Sequence, residues 1–211
     1  KFPGAGYEDG RYSAPPEGLE ANLGRMPLAS VGDQSFGQSV AINFYVASEN
    51  GLMGSNTIEA AQIMGIGEHV KEMTQAFYKL IPYGQDPTPE ALDTWFDSGA
   101  SDATGAANRD GFSTRYLTWF LGRIEQCLGN QGFAVGNKLS LADVLLYNAL
   151  AEYLKEEEAG SVAAHKREAF YSRDRTNAKV AKYPKIKASV DAVAGNANVQ
   201  KWLGMRGTQG F

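Results

Sequence analysis

Apolar positions follow two regimes along the chain. Over roughly the first fifty residues they come in short runs separated by turn residues. Leu28-Ala29-Ser30-Val31 leads into Gly32-Asp33, a pair suited to a two-residue hairpin turn, and Gln34-Ser35-Phe36 forms the returning strand. A further short β signal lies near Tyr7, ahead of the loop Ala14-Pro15-Pro16-Glu17-Gly18. After Gly37 the period becomes helical, with Val40, Ala41, Phe44 and Tyr45 on one face, until Glu49-Asn50-Gly51 stops the helix.

From Asn56 onward every strong signal is helical. The stretch 58–80 predicts a multi-turn helix that Gly65 and Gly67 weaken or bend, by up to about 1 kcal/mol each relative to alanine. Thr88-Pro89-Glu90 opens a short helix with proline at its first position. Residues 98–111 are polar and glycine-rich and predict a long surface loop. With Ser113 as the cap of the next helix, Leu117, Phe120, Leu121, Ile124 and Leu128 form a core-facing stripe. The sharpest local pattern is Leu139-Ser140-Leu141-Ala142-Asp143-Val144. Ser140 at the N-cap and Asp143 three residues on make a capping box, flanked by the apolar pair Leu139 and Val144 as a hydrophobic staple. The apolar run from Val144 predicts a buried helix extending to Tyr153.

Composition narrows the class. The 211 residues are 43% hydrophobic and 21% charged, which excludes wholesale disorder. No apolar run approaches the roughly 18 residues of a spanning helix, so the expectation is a protein without a membrane span, soluble or held at a membrane only by partners. A single cysteine, Cys127, excludes an internal disulfide framework and suits the cytoplasm or another reducing compartment. Its place in an apolar helix stripe predicts a small buried hydrophobe. Lys1-Phe2-Pro3-Gly4 resembles neither a signal nor a transit peptide and reads as a cut or processed end. His69 and His165 lack partners at metal-ligand spacing, so no metal is expected. Glu156-Glu157-Glu158 reads as a solvated helix end, and no glycine-rich turn cradles a phosphate.

The formal net charge of −4 conceals an asymmetry. Residues 1–160 carry a net −11, whereas 165–187 carry a net +6. The basic segment is diluted by alanines and has few aromatics for stacking, which argues against nucleic acid. It leaves a solvated charge face or electrostatic docking to an acidic protein.

Several segments together resemble the cytosolic glutathione S-transferases, with the flavour of the sigma-like group. They are Gly24-Arg25-Met26-Pro27-Leu28, Gly37-Gln38-Ser39-Val40 running to Ala47, Phe133-Ala134-Val135-Gly136-Asn137 ahead of Ser140-x-x-Asp143, and Tyr183-Pro184-Lys185-Ile186. The resemblance implies an α/β thioredoxin-like domain in residues 1–53 and an all-α helical domain in residues 54–211. It also implies that the family's first strand and helix, which carry its catalytic hydroxyl, precede Tyr7. The expectation is therefore a thioredoxin-like domain truncated at its start, with no catalytic residue assignable in this chain and the missing strand supplied by an upstream segment or a partner.

By the same resemblance glutathione is the co-substrate and Met26, Pro27, Gln38 and Ser39 bind it. A cis Met26–Pro27 peptide would turn the Met26 amide and carbonyl toward the tripeptide, and the helix start at Gln38 and Ser39 would take the γ-glutamyl carboxylate. The implied reaction is attack of the glutathione thiolate on a small electrophile, held near Phe77, Tyr78, Tyr116 and Phe120. The family's anchors for the glycyl carboxylate fall at Ala14 and Gly18, which supply neither charge nor side-chain donor; Arg11 or Arg25 would have to compensate. The family's aspartate that reaches the neighbouring subunit's glutathione falls at Met64, one turn from Glu68. A homodimer is implied by analogy. The competing reading is a non-catalytic scaffold or binding subunit of the same fold, for which the loop 98–111 and the basic segment would be contact surfaces.

Overall fold

The computed structural model describes residues 18–98, 115–155, 158 and 167–206. The chain divides into two compact units between Met53 and Gly54. In the first, a 3-10 turn at Leu19–Asn22 precedes an antiparallel hairpin, β1 (Leu28–Val31) and β2 (Gln34–Gly37), and helix α1 (Ser39–Glu49). The hairpin pairs Leu28 with Gly37 and Val31 with Gln34. Gly32 supplies the positive φ, 61°, that the tight turn requires. On the exposed face Ser30 and Ser35 share a hydrogen bond of 2.8 Å. The strand expected near Tyr7 lies outside the described residues.

Helix α1 corrects its expected face. Tyr45 meets Phe36 of the hairpin edge to face, 5.4 Å between centroids. Phe44 remains 47% exposed, and Ala47, not Phe44, is the buried residue of the helix. The consecutive aromatics point about 100° apart on a helix, so one of them takes the contact and the other leaves the stripe.

In the second unit the order is α2 (Thr57–Tyr78), α3 (Pro89–Asp97), α4 (Leu117–Cys127), α5 (Leu141–Leu150), α6 (Arg173–Val180), α7 (Pro184–Ala194) and α8 (Ala197–Leu203). Asn56 caps α2 by accepting from the amides of Ile58 and Glu59 at 3.0 Å each. The Glu59 carboxylate takes the Ser55 amide at 2.6 Å. The helix runs unbroken through Gly65 and Gly67, and Gly67 has a packing reason: a Cβ there would lie 3.0 Å from Leu145 Cδ1 on α5. Thr88 caps α3. Four expectations need correction. Helix α4 starts after Tyr116, whose backbone is extended, so Ser113 is not its cap. Cys127 is exposed, because Leu128, one turn beyond Ile124, takes the core position. Helix α5 ends at Leu150, and Tyr153 instead bridges to Glu168. Finally, Glu158 accepts a charged hydrogen bond from Arg206 and is no solvated helix end. The loop 98–111 lies outside the described residues beyond Ser98, as does His165.

The core centres on α5. Ser140 and Asp143 form a capping box at its first turn. Asp143 is fully buried yet accepts four hydrogen bonds, from the Ala134 amide (2.7 Å), the Ser140 amide (2.8 Å), Ser140 Oγ (2.6 Å) and Ser189 Oγ of α7 (2.6 Å). One carboxylate thus joins the 133–137 loop, the start of α5 and the middle of α7. The start of α7 is tied to α4 in a related way. Glu125 accepts from the amides of Lys185 and Ile186 at 3.0 Å each, placing negative charge where the free amides of a helix start need it. Lys185 Nζ returns a hydrogen bond to the Leu128 carbonyl at 2.9 Å. This accounts for Tyr183-Pro184-Lys185-Ile186: proline occupies the first helical position, where no amide is needed, and the next two amides meet Glu125.

Most of the basic segment is engaged within the chain. Arg175 forks onto Asp93 (2.9 Å) and Asp97 (2.7 Å) of α3 while covering the Phe96 ring. Lys179 adds to Asp97 at 3.5 Å, and Lys187 pairs with Asp191.

Replacing Asp143 by alanine strips four buried donors of their acceptor. Chemical denaturation of Asp143→Ala should show a loss of about 3–5 kcal/mol, against about 1 kcal/mol for Ser189→Ala. A loss below about 1 kcal/mol for Asp143→Ala would contradict this central role.

Candidate functional site

The four candidate binding residues lie in the first unit, on the turn before β1 and at the start of α1. The Met26–Pro27 peptide is cis. Met26 is 60% exposed, and among the described residues no hydrogen bond engages its backbone amide or carbonyl. At α1, Gln38 is the N-cap but gives no side-chain hydrogen bond to the helix. Among the described residues no side chain caps the first amides of α1, which lie beside the exposed Ser39 hydroxyl.

Gln38 adopts φ 73° and ψ 123°, a backbone conformation rare for a residue with a side chain. Such outliers persist where their surroundings over-determine them, and they concentrate at ligand sites. Here the neighbour is Asn22, the residue that sequence reasoning missed. Its buried amide donates to the carbonyls of Arg25 and Pro27 at 2.8 Å each and accepts from Gln38 Nε2 at 3.4 Å. Gly37 makes room for it: a Cβ there would sit 1.9 Å from Asn22 Cγ. Asn22 thus links the Met26–Pro27 turn to the entry of α1. The only trace in the sequence is an asparagine four residues before Met26, indistinguishable there from a turn residue.

The positions expected to lack the family's anchors can be placed in part. Gly18 has a left-handed backbone and offers no side-chain donor. Ala14 and Arg11 lie outside the described residues. In the second unit Met64 is half-buried, and Glu68 pairs with Lys71 at 3.1 Å.

The second unit contains its own cleft of about 620 Å³, within the range of small-molecule sites. Val70, Phe77 and Tyr78 of α2 line one wall and Leu145 of α5 another, with Phe170 and Trp202 completing an aromatic surround. Partial burial raises the pKa of the Tyr78 phenol above its ordinary value. Of the four aromatics expected around an electrophile, Phe77 and Tyr78 belong to this cleft; Phe120 is instead core, packed between Trp95 and Trp119, and Tyr116 is the start of α4.

Arg206 anchors the C-terminal side of this cleft. Only 4% of its side chain is exposed, and it donates to Glu152 Oε1 (2.7 Å), the Tyr153 carbonyl (2.7 Å) and Glu158 Oε2 (2.9 Å) while lying against Trp202. The hydrogen bond from Arg206, with another from the Lys155 amide, holds the Glu158 carboxyl below its usual pKa. A depressed carboxyl contributes its stability above the ordinary value and loses it as pH falls through the lowered one. Among the described residues there is no cluster of metal-ligating side chains, and no helix is long and apolar enough to cross a membrane.

Comparison with known proteins gives a consistent picture. The family model described as glutathione S-transferase, C-terminal domain, matches residues 93–206, more than half of the chain. Probable glutathione S-transferase 7 of Caenorhabditis elegans is 25% identical over 209 residues, covering 97% of this chain and 86% of the relative. Glutathione S-transferase A of Cavia porcellus is 31% identical over 143 residues, covering 67% and 57% respectively. Among solved structures, the Pi-class glutathione S-transferase of Onchocerca volvulus superposes with a TM-score of 0.61 at 19% identity, covering 89% of this chain and 74% of that one.

Two substitutions test these arrangements. Asn22→Ala should speed hydrogen exchange of the β1 and β2 amides by about 5- to 150-fold, the equivalent of about 1–3 kcal/mol, because two carbonyls lose their donor. Unchanged exchange would show that the turn holds without it. The unsubstituted protein should show an acid-side step in tryptophan emission below the ordinary carboxyl pKa, and Arg206→Met should abolish it; a step that survives belongs to another group.

Proposed function

This chain belongs to the glutathione S-transferase superfamily, and we propose that it binds glutathione along the Met26–Pro27 turn and the start of α1 and joins its thiol to a small electrophile. The observation that carries the proposal is the conjunction at one end of the first unit: an exposed Met26 whose backbone has no hydrogen-bond partner among the described residues, beside an α1 start that Gln38 leaves without a side-chain cap, tied together by Asn22 and the rare backbone of Gln38. No one of these features alone identifies a ligand site. Together they suit a tripeptide that needs a backbone pairing for its middle residue and an anion site for its γ-glutamyl carboxylate.

In the proposed reaction the thiol proton leaves to solvent or a base, the sulfur attacks the electrophilic carbon, and the carbon–sulfur bond forms as a leaving group departs. Met26 would fix the cysteinyl segment, and Ser39 with the α1 amides would hold the carboxylate. The thiol-activating group is not assigned to a residue of this chain. The cleft in the second unit supports an apolar electrophile, with Tyr78 and Trp202 as its aromatic surfaces. Docking of an acidic partner by the basic segment has less support, since Arg175, Lys179 and Lys187 already have carboxylate partners.

Calorimetric titration with glutathione should show saturable binding that Ser39→Ala weakens about tenfold, the loss of one hydrogen bond to a charged group. Gln38→Gly, which accepts the same backbone, should weaken it less. With glutathione bound, chlorodinitrobenzene should be converted to its thioether with release of chloride. Binding without conjugation would leave the non-catalytic reading of the fold; no binding at millimolar glutathione would sink both parts of the proposal.

A further inference from the structure

We propose that Phe170 sets the depth of the cleft in the second unit, and with it the length of the apolar group the cleft accepts; the inference rests on reading this cleft as the electrophile's site. Phe170 and Tyr171 are consecutive residues with left-handed backbones, φ 50° and 60°, and neither is glycine. One bulky residue in that region is an outlier, and two in succession require a surrounding structure that imposes them.

That structure can be named. Before the pair, Glu168 bridges to Tyr153, and the Leu154 amide donates to the Arg167 carbonyl at 2.6 Å. After it, Thr176 Oγ1 donates back to the Ala169 carbonyl at 3.1 Å, and the Arg173 amide donates to Glu168 Oε2 at 2.9 Å. Tyr171 is drawn outward to donate to Asp86 Oδ1 at 2.7 Å. With its flanks held, the left-handed pair turns the Phe170 ring inward.

The ring ends in a place where a simpler core would need no strain. It lies 5.0 Å from Phe77 and 5.0 Å from Trp95, centroid to centroid, and is 6% exposed while still lining the cleft. Behind it Trp95 is wholly buried, and its indole Nε1 has no hydrogen-bond partner among the described residues. Phe170, beside Phe77 on the cleft wall, therefore stands between the cleft and the buried core rings of Trp95 and Phe120. The substrates that fit are compact apolar electrophiles whose chains stop at Phe170. Removing the ring would lengthen the cleft toward Trp95.

The test uses para-alkyl nitrobenzenes with chains of one to eight carbons, which bind without reacting and quench tryptophan emission. Titrations are run on the full chain and on Phe170→Ala, with thermal melts to confirm folding. Each methylene that enters the cleft should tighten binding by about 4-fold, until the chain meets Phe170 and affinity levels off. In Phe170→Ala the rise should continue for about three more methylenes before levelling, giving a gain of at least tenfold for the longest chains and little change for the shortest. If Phe170→Ala does not fold, Phe170→Leu should move the break by a smaller step in the same direction. A ring that only supports the core would lower all affinities together and leave the break where it is, which would overturn the inference, as would the absence of quenching by any member. Conjugation of chlorodinitrobenzene on the same samples separates the two proposals. A moved break without conjugation upholds the depth-setting role and rejects the catalytic reading, and conjugation with an unmoved break does the reverse.

Discussion

A single buried carboxylate organises the larger unit. Asp143 has no exposure to water, and removing an ionisable group from solvent is costly unless its oxygens find donors. Its two oxygens receive four, from a loop, a helix cap and a second helix. Because each donor comes from a different part of the chain or a different group, satisfying Asp143 fixes the relative position of the 133–137 loop, α5 and α7 at once. The α7 that Ser189 anchors then meets α4 through Glu125, and α5 packs along α2 with Gly67 making room for Leu145. The cleft between α2 and α5 inherits its shape from these constraints, which also hold the wall against which Phe170 is pressed.

The smaller unit solves a different problem with the same chemistry. Its hairpin is short, and much of its surface is exposed, so apolar burial contributes little to placing the Met26–Pro27 turn. Asn22 does that work with one side-chain amide that spans two carbonyls of the turn and reaches toward Gln38. The cost is carried locally, by Gly37 giving up a side chain and Gln38 taking an unfavourable backbone. Among the described residues, the backbone at Met26 and the start of α1 are left without partners, and those are groups a small peptide can use.

Much of the fold was legible because local chemistry and global packing agree. Gly32-Asp33 marks a turn whichever way the strands pack, Thr88-Pro89 marks a helix start, and the Leu117, Phe120, Leu121, Ile124 and Leu128 stripe is buried as its period requires. The family itself was legible from four separated segments, and the matched domain model agrees with it. Failures came where tertiary partners decide. Cys127 sits on an apolar stripe, but Leu128 outcompetes it for the core. Glu158 looks like one of three solvated glutamates until Arg206, 48 residues on, reaches it. Asn22, the strained backbone of Gln38 and the Phe170–Tyr171 pair carry no sequence signal, because backbone strain and side-chain-to-carbonyl bonds arise only once the chain is folded.

The central claim is that the open groups of the first unit receive glutathione. The most direct measurement is a glutathione titration of the isotopically labelled chain followed by amide resonances. The Met26, Ser39 and Val40 amides should shift saturably with one common dissociation constant, while the α5 amides around Asp143 stay fixed. Unmoved Met26 and Ser39 amides, or shifts confined to the helical unit, would contradict the account.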